Sequence, residues 1–583
     1  MSECTKRQGD PGPPGPLAPG SLRSEPHALR SVGLGAVIAV ACVLAYSSAL
    51  QGGFIWDDES YVTQNPKLGS LAGLGAIWSQ VTEDYRHQYY PLTLTMFWVQ
   101  HALWGLHPLG YHLTNVLLHA ANAVLLWRLG VRLGVRGSWI AGAIFAVHPV
   151  YVQSVAWISE LKNVLSGFFF LASLLAFLRF DETRPRDEGL AERSSGPGSP
   201  RVLGPDIRFY ALGLVLFLAA LLSKTATASL PIALGLGLWW KHGRLRWSDV
   251  LLLGPLVLVA ATMIGGTMYL ELEHGGAKTA VEPLGIWTRA LVAGRSIWFY
   301  ASTLLWPTSL SAIYPRWAVE TWGLGQGLWL GGVVAVLAAL RGLQYRWGRG
   351  PLAAALFFVL AVGPVSFASV AFMRLSLVAD HWQYWGSMSL VLLGAAVGAT
   401  LVARSPQPLL GPILAAFLIA GLGIATFRHA ASYRDPIVFW ENTVRKNSAC
   451  WLAHHNLGVL LEQEGRPLDA ITHLTIATNL RPQDPTAHTS LGIALARHGL
   501  TAHALAPLEQ SLSLRPHDPA THYSLALALR AQGRPREAAA HFRRTLDLVP
   551  GHLQSLQALE ALSVQCNGIV QVDPAVTDAS QEP

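Results

Sequence analysis

Three consecutive carboxylates, Asp57, Asp58 and Glu59, follow Phe54-Ile55-Trp56 just past the first long apolar run of the chain. Charge this close to lipid is costly unless it faces water or a site. A carboxylate held at such an interface could take a proton from an incoming hydroxyl, and crowding of like charges would raise one of the pKa values. The residues alone do not separate Asp57 from Asp58.

Other polar groups stand out in apolar surroundings. Glu160 and Lys162, in Ser159-Glu160-Leu161-Lys162-Asn163, fall at the end of a helical hairpin. They read either as an exposed ion pair of little energetic weight or as a phosphate contact by Lys162. Lys224 separates two apolar runs with almost no loop. It either snorkels or neutralises a lipid phosphate. Arg374, Asp380, His381 and Tyr384 form a polar, aromatic segment. It could orient a sugar or belong to an interfacial aromatic belt. His101, His107, His112 and His119 lack the spacing of a zinc site. No GxSxG elbow, HExxH or phosphate-cradling glycine loop is present. A nucleotide-sugar enzyme of the Rossmann type is therefore not supported.

The elements that position these groups follow from composition. Only 13% of the 583 residues are charged, against roughly a quarter in a soluble domain, and the mean hydropathy is +0.34. This predicts an all-α chain: a polytopic membrane bundle over 31–427, then a soluble helical unit over 436–560. The ends, 1–30 and 561–583, read as disordered tails. The net charge of +7 comes mostly from Arg and Lys flanking apolar runs, where they set topology. Nucleic acid is not implied as a partner. Four cysteines make no disulfide framework.

Eleven spans are predicted, near 31–50, 108–129, 138–156, 161–180, 208–224, 225–241, 249–270, 322–341, 351–372, 383–403 and 408–427. With the N-terminus cytoplasmic, the clusters Arg128/Arg132/Arg136, Lys241/Arg244/Arg246 and Arg341/Arg346/Arg349, and Arg404, all fall inside. That fit makes 91–105 interfacial and 287–306 a non-crossing or re-entrant piece. The Asp57–Glu59 loop, the 159–163 turn, Lys224, Asp380-His381 and the C-terminal unit then share the opposite side.

The C-terminal unit repeats every 34 residues. Leu457, Leu491 and Leu525 align; so do Gly465, Gly499 and Gly533, Ala470, Ala504 and Ala538, and Pro482, Pro516 and Pro550. This is the tetratricopeptide pattern of paired helices, with repeats near 453–486, 487–520 and 521–554. Such stacks form a groove suited to a peptide or partner protein.

The order of motifs resembles the transmembrane and tetratricopeptide-repeat O-mannosyltransferases and their bacterial relatives. The pieces are Gly53-Phe54-Ile55-Trp56-Asp57-Asp58-Glu59, Tyr90-Pro91-Leu92-Thr93, Tyr111-His112-Leu113-Thr114-Asn115, His148-Pro149, Lys162-Asn163-Val164-Leu165-Ser166, Ser223-Lys224, Leu230-Pro231, Trp306-Pro307, Tyr314-Pro315 and Ala379-Asp380-His381. The resemblance implies a C-type membrane glycosyltransferase. It would move a hexose, mannose for this family, from a polyprenyl-phosphate carrier to Ser or Thr hydroxyls of extracytoplasmic proteins. Asp57 or Asp58 would be the base of an inverting displacement. Lys162, Lys224 and Arg295 would hold the donor phosphate, with Glu59, Glu160, Asp380 and His381 near the substrates. No resident cofactor is implied, and assistance by a divalent cation is left open. The setting would be a bacterial inner membrane or an endomembrane, with membrane lipid around the bundle and the repeats periplasmic or luminal. Gln153 and Leu161 depart from the family pattern. They keep in view an alternative: a catalytically inactive membrane anchor that presents the repeats as a scaffold.

Overall fold

The computed structural model describes residues 25–80, 89–184, 206–273, 284–319, 323–367, 373, 375–407 and 409–565. The N-terminal tail, the C-terminal residues from 566 onward and Arg374 lie outside them. Among the described residues every regular element is a helix. The membrane part opens with α1 (Glu25–Ala45), then the candidate-site loop, α2 (Leu71–Ser79), α3 (Pro91–Trp104), α4 (Pro108–Arg132), α5 (Ser138–Val147), α6 (Val152–Ala156) and α7 (Leu161–Thr183). It continues through α8 (Ile207–Ser223), α9 (Leu230–His242), α10 (Trp247–Glu273), α11 (Ile286–Leu305), α12 (Gly327–Trp347), α13 (Gly350–Val362), α14 (Ser387–Val402) and α15 (Leu410–Ala430).

Among the described residues, four helical segments can cross a membrane by length and composition: Ile158–Thr183, Trp247–Leu270, Gly327–Trp347 and Leu410–Tyr433. The pair Ser138–Val147 and Pro149–Ala156, bent by 52°, makes a fifth if taken as one span. Four apolar helices, Arg30–Ala45, Ile207–Ser223, Gly350–Val365 and Ser387–Val402, are shorter. The expected eleven crossings are thus not reached on these criteria, for identifiable reasons. The stretch 225–241 breaks into a 3₁₀ turn, Thr225–Ser229, and the 13-residue α9. At 1.5 Å per residue α9 is ~20 Å long, short of a hydrocarbon core of ~30 Å. The stretch 287–306, expected not to cross and so outside the eleven, forms the 20-residue helix α11 and is not among these segments.

Helix α4 is long but carries polar groups at helical spacing on its buried side: Asn115, His119 and Asn122. Each finds a partner, as burial requires. Asn115 donates to the Trp157 carbonyl at 3.1 Å. His119 meets the Tyr384 hydroxyl at 2.8 Å and the Phe145 carbonyl at 3.1 Å. Asn122 donates to the Val164 carbonyl at 2.8 Å and to the Tyr384 hydroxyl at 2.9 Å. These bonds fix α4 against α5, α7 and the turns at Trp157 and Tyr384, which adjoin site residues. His119 thus serves packing through ordinary hydrogen bonds.

The soluble unit starts at α16 (Pro436–Lys446) and runs through α17 (Trp451–Gln463), α18 (Pro467–Leu480), α19 (Pro485–Arg497), α20 (Thr501–Leu514), α21 (Pro519–Ala531), α22 (Pro535–Leu548) and α23 (Leu553–Gln565). The aligned glycines Gly465, Gly499 and Gly533 end the first helix of each pair with φ of +73°, +78° and +70°, a left-handed conformation that glycine adopts without penalty. Pro485 and Pro519 open the next repeats at the first helical turn, where a missing N–H costs nothing. The last helix runs five residues past the expected end at 560, because Leu559 and Leu562 are buried against the stack.

Candidate active site

The loop after α1 turns sharply at Trp56, whose φ of +47° makes it the one non-glycine residue with positive φ among the described residues. The indole of Trp56 stacks on Trp157 at 5.0 Å and meets Trp440 edge-on at 5.2 Å. The next turn, Glu59–Thr63, is a single π-helical turn, a form found often at functional sites.

The three carboxylates part company here. Asp58 is fully buried. Its Oδ2 accepts from the Ile55 amide at 2.9 Å, and its Oδ1 accepts from the Ser159 amide at 2.7 Å. Both oxygens thus tie the first loop to the 158–160 turn. Burial pushes the Asp58 carboxyl up to about 7, although the two amides favour its anion. Asp57 is only half-buried, and among the described residues no donor reaches its carboxylate. Burial raises its pKa above the ordinary 3.8, the Lys162 ammonium opposes this, and the Glu160 carboxylate adds to it. Glu59 is exposed and takes a 3.3 Å hydrogen bond from Gln64.

Facing Asp57 is a buried charge cluster. Lys162 Nζ lies 2.9 Å from Glu160 Oε1 and 4.9 Å over the Tyr61 ring. Lys224 Nζ is 3.6 Å from Glu160 Oε2, donates to Asn163 Oδ1 at 2.7 Å and sits 5.5 Å from the Trp385 ring centre. Lys224 reaches this place because α8 stops at Ser223, leaving it extended between α8 and the 225–229 turn. Ion pairs this deep do not stabilise a fold by themselves; their retention suits a site that receives charge.

The Asp380 segment closes the cluster. Burial lowers the His381 imidazole to about 3, opposed by Glu160 and reinforced by Lys224 and Lys162, which shows how near these charges lie. Its backbone N–H donates to Gln153 Oε1 at 3.1 Å, while Gln153 Nε2 donates to the Ala312 carbonyl at 3.1 Å. A glutamate at 153 could not make the second bond, so Gln153 bridges two loops. Asp380 is buried, and both its oxygens accept from the Tyr314 hydroxyl, at 2.9 and 3.1 Å. Burial pushes it up to about 7, with Tyr314 and Lys446 opposing. Asp380 is therefore occupied in holding the loop.

Of the residues singled out in the sequence, direct contacts join Glu160, Lys162 and Lys224, Asp58 ties the first loop to the turn beside them, and Asp57 and His381 lie within electrostatic reach. Glu59 stands at the rim and Asp380 behind the site. The guanidinium of Arg295 lies 4.3 Å over the Trp317 ring. Sequence reasoning named Tyr314 only within a motif and missed Trp440, Lys446 and Asn447. Lys446 donates to the Leu310 carbonyl, and Asn447 donates to the Ile313 carbonyl at 3.3 Å. No local spacing signals such long-range contacts. Among the described residues, no group of three or more His, Cys, Asp or Glu side chains is arranged to hold a metal ion.

Comparison with known proteins adds the following. The family model "Tetratricopeptide repeat" matches residues 455–519 and 489–553. Curated relatives include mouse Protein O-mannosyl-transferase TMTC4, 30% identical over 171 residues, covering 25% of this chain and 23% of that protein. Mouse Protein O-mannosyl-transferase TMTC2 is 35% identical over 148 residues, covering 24% of this chain and 18% of that protein. The human TMTC3 protein is 31% identical over 159 residues, with 26% and 17% covered. The resemblance read from the motifs is thus to the family these relatives represent. The chain spans between 16% and 23% of the length of the curated relatives it matches. Among solved structures, MamA is 20% identical with a TM-score of 0.22, covering 23% of this chain and 78% of that one. Yeast Tom70 is 13% identical with a TM-score of 0.22, covering 82% and 100%.

Proposed function

We propose that the chain is a membrane glycosyltransferase that moves mannose from a polyprenyl-phosphate carrier to Ser or Thr hydroxyls of extracytoplasmic proteins. One observation carries this reading: two buried ammonium groups share a single carboxylate, Lys162 at 2.9 Å and Lys224 at 3.6 Å from Glu160. An ammonium group has three donors, so both lysines retain capacity for phosphate oxygens. The half-buried, unbonded carboxylate of Asp57 faces the same cluster. The names of the curated relatives support the same chemistry.

In this reading an acceptor hydroxyl oxygen attacks the anomeric carbon while the bond from that carbon to the phosphate oxygen breaks. The electron pair leaves with the carrier phosphate, whose growing charge Lys162 and Lys224 offset. Asp57 takes the hydroxyl proton. A single displacement inverts the anomeric centre. Asp58 orients the loop, and Glu160 keeps the two lysines apart and charged. The eleven-span topology, with a cytoplasmic N-terminus and the repeats on the periplasmic or luminal side, belongs to the same proposal. So does acceptor binding in the repeat groove.

The structural occupation of Gln153, where the family pattern has a glutamate, favours a second reading as an inactive scaffold. A transfer assay separates the two. The purified full chain is given mannosyl-phosphopolyprenol and a Ser/Thr peptide, and the product is read by mass spectrometry. Mannosylated peptide from the wild type, lost in Lys224→Met, is the expected result. Failure to transfer any hexose from any polyprenyl-phosphate donor would refute the enzyme and leave the scaffold.

A further inference from the structure

A cavity separate from the candidate active site opens among the helices of the bundle. An apolar cleft of about 870 Å³ opens between α4, α7, α9, α12, α13 and α14. This is within the ~300–1,000 Å³ typical of ligand sites. Its walls include Leu129, Phe170, Leu234 and Leu392, and Trp385 lies at its inner end. At its mouth stand Arg136, Arg346 and Arg404, from three separate elements. All three are exposed, and none of their guanidinium groups has a hydrogen bond or ion pair among the described residues.

The geometry distinguishes this place from the candidate active site. Trp385 is the point where the two approach, 5.5 Å from Lys224 Nζ. From there α14 runs 16 residues towards Arg404, ~24 Å at 1.5 Å per residue. Helix α7 begins beside Lys162 but contributes to the cleft only from Phe170 onward. The arginine mouth is therefore most of a ~30 Å hydrocarbon core away from the lysines. It lies on the face that the distribution of basic residues assigns to the cytoplasm. An apolar cleft ending in three unpaired guanidiniums complements one kind of membrane molecule, long apolar chains joined to a phosphate. Basic pockets between spanning helices on the cytoplasmic side recognise anionic headgroups by this logic, and guanidinium groups favour phosphate through paired donors.

We propose that this cleft holds the acyl chains of an anionic phospholipid whose phosphate sits among Arg136, Arg346 and Arg404. The ligand differs from the sugar donor, whose phosphate is assigned to the opposite end, so the inference stands whether or not the chain transfers sugar.

The test uses the full chain in lipid nanodiscs and in detergent. Native mass spectrometry counts retained phosphatidylglycerol and phosphatidylcholine, and thermal unfolding is followed with each lipid and with inorganic phosphate. The wild type should retain phosphatidylglycerol at least ~10-fold over phosphatidylcholine, a low figure for three cations near a lipid phosphate. The triple variant R136Q/R346Q/R404Q should lose that preference. Stripping three arginines from one face can disturb insertion, so a second variant leaves every charge in place. Gly237 lines the cleft, and a Cβ there would meet nothing within 4 Å. Gly237→Phe should fill the cleft and abolish phosphatidylglycerol retention without lowering the melting temperature in detergent alone. Equal retention of the two lipids by the wild type would overturn the proposal. So would undiminished preference in Gly237→Phe, an equal thermal shift from inorganic phosphate alone, or exclusive retention of a polyprenyl phosphate.

Discussion

The two aspartates of the first loop should fail in different ways when changed. Asp58 offers both oxygens to buried amides, those of Ile55 and Ser159. Asp58→Ala leaves two buried N–H donors unsatisfied, each costing ~1–3 kcal/mol. Removing a buried charge returns part of that loss, so the net destabilisation should be ~1–3 kcal/mol. Asp58→Asn keeps one acceptor and should fall between wild type and alanine. Asp57 makes no side-chain hydrogen bond among the described residues, so Asp57→Ala and Asp57→Asn should both stay within ~0.5 kcal/mol of wild type. As the base, however, either change should cost ~10²–10⁴-fold in turnover. The assay pairs a detergent-solubilised thermal melt with single-turnover mannosyl transfer from mannosyl-phosphopolyprenol, normalised to folded protein. The expected pattern is graded stability loss at 58 and ungraded activity loss at 57. A stable, inactive Asp58→Ala beside an active Asp57→Ala would exchange the two roles and refute the reasoning.

Two pH effects follow. The base must be ionised, so turnover should fall as pH drops through the Asp57 pKa; burial displaces that midpoint above 3.8, and Lys162→Met, which removes the opposing ammonium, should move it higher still in a pH–rate profile. In the repeats, His454 and His473 meet through their Nδ1 atoms at 2.9 Å, and His522 and His541 do so at 3.0 Å; one proton can bridge each pair, but two would repel. Burial lowers His454, His473 and His541 below the ordinary 6.5, so the unfolded chain binds protons first and the stability these residues contribute is lost as pH falls below 6.5. Hydrogen exchange over α17–α22 of the full chain, corrected for intrinsic rate, should accelerate on acidification, and H473L/H541L should flatten that response; an unchanged profile would exclude the pairs as its cause.

What could be read from the sequence divides by the range of the interactions. The repeats are legible because one 34-residue period writes the same packing three times, from Leu457 to Leu525. The charged loop is legible because three carboxylates beside an apolar run are rare. The separation of Asp57 from Asp58 is not legible, since it depends on an amide 101 positions away, that of Ser159. Lys162 and Lys224 read separately as an exposed ion pair or a snorkelling side chain; only the fold shows both buried on one carboxylate, Glu160. Hydropathy alone also cannot register the break at Thr225–Ser229, where the chain leaves the helix just after Lys224.

The joining helix α16 changes the relation between the two halves of the molecule. A non-glycine residue at φ +47° holds a conformation costing on the order of 1–3 kcal/mol and persists only where its surroundings over-determine it. Trp56 is such a residue, and it directly precedes Asp57. One face of its indole rests on Trp157 in the membrane part, and its edge meets Trp440 of α16. The same helix ends in Lys446, beside Asn447, and the two grip the Leu310 and Ile313 carbonyls of the loop that carries Tyr314 to Asp380. The soluble unit thus touches the site at two points, one behind Asp57 and one behind His381. Any displacement of α16 would release the strained turn and loosen the loop together. Helix α16, which leads into the repeats, is therefore better understood as part of the wall that shapes the candidate site than as a tether beside it.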